Sequence, residues 1–257
     1  MLASSPIPPA TLTPRLKFKM PPTEFPKYPT LPSLRLANAK DIDRMAGLSV
    51  LGFKDSEILR YERPHFKEYP QDALTSFANI YRSQLSDPLA ITIVSEDWRV
   101  PDELSDFPQR TDPPAAERVV VGVASWNLPK GSRRAGQFVV PDVGHLEPSP
   151  DRDLCQHRLN LFTRITEVEE KKYLEGSMTC NKLVVHPSYG GKGHATFMLQ
   201  WGLRLCEADS VNQGVIPSHI GEPLYVSLGY KVIGEIKIPD DGDVEGFTQR
   251  VALYSVQ

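Results

Sequence analysis

Residues 182–196, Lys182-Leu183-Val184-Val185-His186-Pro187-Ser188-Tyr189-Gly190-Gly191-Lys192-Gly193-His194-Ala195-Thr196, decide how the rest of the chain is read. An apolar, β-branched run breaks at Pro187, passes through glycines and resumes as small or apolar residues at helical spacing: Ala195, Met198, Leu199, Gly202 and Cys206. The pattern is strand, tight turn, helix. Gly190, Gly191 and Gly193 allow positive φ and let the backbone approach a ligand without Cβ atoms in the way. The NH groups that open the helix, together with its dipole, favour negative charge, so a phosphate or pyrophosphate is the natural guest. Lys192 adds a cation at the same place. Neither familiar phosphate loop fits: Gly193 is followed by His194 rather than by Lys-Ser/Thr, and no Gly-x-Gly-x-x-Gly occurs.

A second stretch lies downstream: Ser218-His219-Ile220-Gly221-Glu222-Pro223-Leu224-Tyr225-Val226-Ser227-Leu228-Gly229-Tyr230. Together the two resemble the GNAT superfamily of N-acetyltransferases. In that family a strand ending in a Val-x-Pro-like segment leads into a Q/R-x-x-G-x-G/A loop that cradles the pyrophosphate of acetyl-CoA. A later Leu-Tyr-x-x-Leu-Gly-Phe/Tyr segment marks the helix before the sixth strand. Here the loop is Gly190 to Ala195 and the later segment Leu224 to Tyr230, in the family's order and separation. Gly190 stands where the family has Gln or Arg, and Lys192 is placed to compensate.

The resemblance implies a mixed α/β fold: a mostly antiparallel central sheet, splayed between its fourth and fifth strands, with helices on both faces. It also implies acetyl-CoA as cosubstrate and direct attack by an amine of a small molecule or peptide. Carried over by position, the amides of Leu183, Val184 and Val185 meet the pantetheine arm. Those of Gly191, Lys192, Gly193, His194, Ala195 and Thr196, with Gly190 at the loop's head, take the pyrophosphate. Ser218 stands where many members have an Asn contacting pantetheine. Tyr225 occupies the place of the tyrosine that hydrogen-bonds the departing thiolate. His186 reads as a loop-stabilising or exposed histidine rather than a base. Gln213 lies where some relatives carry a glutamate, but an amide cannot accept the proton, so no base is assigned. The competing reading is a protein of this fold that binds CoA or another ligand without acetyl transfer.

At 257 residues the chain is long enough for a well-buried core. A net charge of -3 makes no case for nucleic acid, whose phosphates call for a basic patch. Cys155, Cys180 and Cys206 are an odd set that suits a reducing compartment and buried hydrophobes rather than a disulfide framework. No run of about 18 apolar residues appears, so no membrane span is expected. With no apolar signal region, a cytoplasmic protein is the expectation.

Residues 1–32 are dense in proline and read as an extended, polyproline-like arm, with one domain from residue 33 to 257. Strands are expected at 34–37, 89–94, 119–126, 178–185, 211–216, 230–238 and 248–256, the last two as an antiparallel pair around the acidic turn 240–243. Helices are expected at 38–53, 72–85, 151–175, 196–208 and 221–227. The segment from about 129 to 175 reads as an insertion relative to a minimal GNAT domain, with Leu154, Leu161, Phe162, Ile165 and Val168 toward the core and Glu167, Glu170 and Lys171 outward. In the family the joint between the first two helices borders the acceptor pocket. Tyr61, Phe66 and Tyr69 are thus candidate substrate walls, and Trp126 is expected on the acceptor side.

Overall fold

The computed structural model describes residues 34–101, 103 and 117–257; the proline-rich arm and most of the loop after residue 101 lie outside the described residues. Seven strands form one sheet: β1 (Leu34–Leu36), β2 (Ala90–Trp98), β3 (Arg118–Asn127), β4 (Met178–Val185), β5 (Gln213–Val215), β6 (Lys231–Ile238) and β7 (Phe247–Tyr254). Their order is β1-β2-β3-β4-β5-β7-β6. Every pairing is antiparallel except β4 with β5, which run parallel and meet only through Met178–Gln213, Thr179–Gly214 and Cys180–Val215. Beyond Cys180 the two strands part, as the expected splay requires.

A β-bulge sits beside that parting. Trp126 pairs with Cys180 and Ser125 with Lys182, which leaves Asn181 as the extra residue on β4. Because side chains alternate along a strand, one extra residue exchanges the faces for everything that follows. Met178 and Cys180 therefore face one side of the sheet, and Lys182 and Val184 the other.

Helices cover both faces. α1 (Ile42–Phe53) and α3 (Pro70–Ser86) pack Met45, Leu48, Phe77, Tyr81 and Leu85 against Val94, Val123 and Val184. α5 (His194–Asp209) packs Met198, Leu199 and Leu203 on the opposite face, against Ile91, Ile93, Trp126 and Cys180. Both approaches are close. A Cβ on Gly52 of α1 would stand 1.9 Å from Val184 Cγ2, and one on Gly202 of α5 2.7 Å from the Trp126 ring. α4 (Gln156–Leu174) lies over the far half of the sheet, where Leu174 joins Ile236, Ile238 and Val251. The glycines opposite, Gly214 and Gly234, leave room for Leu174 and Tyr173.

Three features differ from the sequence reading. A short helix, α2 (Glu57–Glu62), occupies what reads as a plain connection; Ser56 caps it by accepting from Leu59 N at 3.1 Å. Strand β2 runs on to Trp98, past the expected end at Val94. α4 starts at Gln156 rather than residue 151, and Val168 is 61% exposed because its side of the helix meets solvent, whereas Glu170 is half-buried.

Candidate functional site

The turn after β4 is built from below. His186 is buried, and its Nδ1 accepts from Ser188 N at 3.1 Å, closing the 3-10 turn Pro187–Tyr189. Gly191 and Gly193 take φ of +73° and +84°, conformations that only glycine adopts without strain. Gly190 does not: its φ is -58°, open to any residue, so the expectation of positive φ fails there. α5 (His194–Asp209) then begins, and the first of its NH groups to find an acceptor is Phe197 N, on Gly193 O. Among the described residues no acceptor meets the NH groups from Gly191 to Thr196. Six donors in succession at a helix start make an anion cradle.

Side chains brace this cradle. The His194 ring is buried, hydrogen-bonded through Nδ1 to Ser95 Oγ at 2.7 Å and through Nε2 to Asp97 Oδ2 at 3.2 Å. It props the turn from beneath, and only its main-chain NH is left for a ligand. Lys192 Nζ lies 3.8 Å from Asp97 Oδ2 and 4.7 Å from the Tyr189 ring centre. Partial burial works against ionising Asp97, but the Trp98 NH, His194 and Lys192 outweigh it and hold the carboxyl below its ordinary value. Tyr189 is wholly buried and donates to Glu103, which also pairs with Arg44 and Arg99. Ser95 and Asp97 belong to the part of β2 that reads as loop, so the sequence offered no sign of this brace.

Next comes the open edge of β4. His186 N donates to Val121 O at 2.8 Å, and in an antiparallel ladder alternate residues face the neighbour. Continuing the register through Val184–Val123, the main chain of Leu183 and Val185 turns to the edge that β5 has left. Val184 is the correction: its amide turns inward to β3, and its side chain packs under Gly52.

Tyr225 lies on α6 (Glu222–Ser227), buried, with Oη 3.5 Å from Cys180 Sγ at the point where β4 and β5 part. Burial pushes the Cys180 thiol up to about 12 and the Tyr225 hydroxyl well above its ordinary value. Tyr225 stands edge-on to Tyr230 at 5.3 Å. Gln213 is consumed by structure, accepting from Trp126 Nε1 at 3.2 Å and from the Tyr230 hydroxyl. Trp126 thus lies under α5, not on the acceptor side. Ser218 spends its hydroxyl and carbonyl on the turn into α6, both accepting from Gly221 N.

The opposite side of the split is spanned by α2. Glu57 holds the β5–α6 connection through His219 Nδ1 at 2.7 Å, the Tyr61 hydroxyl reaches Pro239 O at 3.4 Å, and Glu62 O accepts from Cys155 N at 2.8 Å. Of the expected walls, Tyr61 is wholly buried against Phe247, Phe66 packs into the α1–α3 core, and Tyr69 lies under Arg152 at 4.5 Å. The chemistry on this side comes instead from residues the sequence did not single out. Burial pushes the Glu62 carboxyl up to about 7 against the pull of Arg63 and Lys182, and draws the Lys182 ammonium down to about 8 against that of Glu62. Glu170 is also raised by burial, tempered by a hydrogen bond from Thr179. Cross-strand from Lys182 stands Ser125, and beyond it Thr92; their buried hydroxyls have no hydrogen-bond partner among the described residues.

A groove of about 500 Å³ lies elsewhere, between α3 and residues 146–151. Its lining offers hydroxyls, amides and solvent-facing carboxylates, without the buried ionisable groups that the split collects. Among the described residues no cluster suits a metal ion, and no helix is long and apolar enough to cross a membrane.

No protein-family profile matches the chain. A protein named acetyltransferase from Stachybotrys chartarum (strain CBS 109288 / IBT 7711) is 56% identical over 248 residues, 96% of this chain and 99% of the relative. The crystal structure of a histone acetyltransferase HPA2 and related acetyltransferase from Corynebacterium glutamicum ATCC 13032 superposes with a TM-score of 0.52, covering 88% of this chain and 96% of that one at 15% identity. That likeness is one of fold. Kinship in sequence at 56% identity means that the chain belongs to that relative's family and is an acetyltransferase, built on a fold of the GNAT type.

Proposed function

We propose that the protein moves an acetyl group from acetyl-CoA to a primary amine of a small molecule or peptide, by direct attack within a ternary complex. The observation that carries this reading is the parting of β4 and β5 after Cys180. It sets a run of unpaired NH groups at one end, a buried tyrosine hydroxyl at the bottom and a carboxyl tuned near neutrality on the far side.

Each part has a task. The NH groups of residues 191–196, with Lys192, hold the diphosphate of the cosubstrate. Leu183 and Val185 offer main-chain partners to its pantetheine arm. Tyr225 faces the sulfur that leaves. With ordinary values near 10 for a tyrosine and about 8.5 for a thiol, full proton transfer is uphill by roughly 2 kcal/mol. Burial raises the hydroxyl further, so Tyr225 donates a hydrogen bond to the developing thiolate rather than a whole proton.

Glu62 fills the place for which the sequence named no residue. An acceptor arrives as an ammonium and must lose a proton, and a base works best when its pKa lies near the working pH. At about 7 the Glu62 carboxyl meets that condition. Cys180 is held as a thiol, which leaves the amine itself as the nucleophile.

Calorimetry with acetyl-CoA tests the cosubstrate assignment. Saturable binding that is competed by free CoA is the expected result, and no heat at millimolar cosubstrate overturns it.

A further inference from the structure

Lys182 has no task in the chemistry above, yet it is placed with care. The bulge at Asn181 turns it to the opposite face of the sheet from Cys180, the side of Val184, where its charge acts on Glu62. The two feel each other's charge without touching: among the described residues neither makes an ion pair, and the ammonium's hydrogen bond goes to Asn181 Oδ1 at 3.5 Å. Both side chains are half-buried. Beside Lys182, Ser125 is 1% exposed with an unpartnered Oγ. Charges and hydroxyls drawn away from water call for partners; among the described residues Ser125 Oγ has no hydrogen bond and neither charge has an ion pair, Lys182 being held only by Asn181 Oδ1.

A ligand that carries one positive and one negative group close together satisfies all three. We propose that Lys182 selects the acceptor, and that the acceptor class is amines bearing a carboxylate next to the reacting nitrogen, α-amino acids being the simplest. The ammonium lies toward Glu62 and the carboxylate toward Lys182, with the Ser125 hydroxyl as a further donor. This rests on the acetyl-transfer reading. Glu62 takes one proton from the ammonium. The nitrogen then forms its bond to the acetyl carbon as the carbon–sulfur bond breaks, and the thiolate leaves hydrogen-bonded to Tyr225. The second nitrogen proton then passes through solvent to that thiolate, leaving a neutral amide and free CoA thiol, and Lys182 takes no part in proton transfer. It acts on binding alone, and it repels acceptors with a second cation, such as polyamines or lysine-rich peptides.

The test compares matched pairs, phenylalanine with phenethylamine, leucine with isoamylamine and histidine with histamine, by thiol release from acetyl-CoA. Wild type, Lys182→Met and Lys182→Arg are run together, and each amino acid is also titrated calorimetrically into the CoA-loaded protein. The expected kcat/KM for the amino acids exceeds that for their decarboxylated partners by about 10- to 100-fold, the scale of a charged hydrogen bond. Lys182→Met removes that ratio through KM and weakens calorimetric binding in proportion, whereas Lys182→Arg retains most of it. Equal or better use of the plain amines by wild type, or an unchanged ratio in Lys182→Met, overturns the inference while leaving acetyl transfer intact. Thiol release from neither set overturns both.

Discussion

Tyr225 Oη stands 3.5 Å from Cys180 Sγ, joining α6 to β4 at the residue where β4 and β5 separate. The contact fixes the hydroxyl at the floor of the split, so Tyr225→Phe removes a donor without a change of shape. Turnover is expected to fall about 10- to 100-fold, the scale of one hydrogen bond to a charged group. Acetyl-CoA affinity by calorimetry stays within about twofold; unchanged turnover takes Tyr225 out of the mechanism.

Cys180 invites a different route, through an acetyl-enzyme. Burial that pushes its thiol up to about 12 leaves almost no thiolate at neutral pH. Intact-mass measurement after incubation with acetyl-CoA alone is expected to show no acetylated protein, and an adduct mapped to Cys180 contradicts direct attack.

Glu62 sets the pH dependence. As a base it works ionised, so kcat/KM climbs as pH rises through about 7, and for carboxylate-bearing acceptors it falls again above about 8 as Lys182 loses its proton. Glu62→Gln is expected to lose about 100-fold in kcat/KM and to flatten the rising limb. The stability sign runs the other way. A carboxyl raised in the folded state from 4.5 to about 7 stabilises fully below 4.5, and that contribution fades as pH rises through 7. At pH 8 the Gln variant should therefore melt no lower than wild type, which separates a lost base from a lost fold.

The glycines of the turn divide by conformation. Gly193→Ala forces a side chain into φ +84°, a cost of about 1–2 kcal/mol, and is expected to weaken acetyl-CoA binding several-fold. Gly190→Ala, at φ -58°, has only Pro187 O at 3.2 Å to accommodate and should bind nearly as wild type. Equal losses at the two positions in calorimetry contradict the cradle geometry.

Away from the site, Gly202→Ala drives a Cβ to 2.7 Å of the Trp126 ring. Overpacking of this kind costs about 1–3 kcal/mol, so a melt lowered by several degrees is expected.

The strand, turn and helix at the centre were legible because Pro187 and the glycines punctuate them. β4 occupies Met178–Val185 as read, and α5 starts two residues early only because Gly193, not Ala195, sets its first turn. α2 escaped notice since a six-residue helix is shorter than two turns and shows no period. The bulge at Asn181 leaves no mark in composition, yet it turns Lys182 and Val184 to the face of the sheet opposite Cys180. Trp126 and Gln213 satisfy each other in the core, a pairing between distant strands that no local pattern reveals. Glu62, a surface-looking residue of a polar segment, becomes a candidate base only through its burial beside Arg63 and Lys182 in the folded chain.

The most direct measurement of the central claim is product analysis by mass spectrometry, with the full chain, acetyl-CoA and a panel of primary amines. An acceptor that gains one acetyl group in step with free CoA, and does so more slowly with Tyr225→Phe and Glu62→Gln, is the predicted result. Protein that binds acetyl-CoA yet acetylates no amine in the panel contradicts the account.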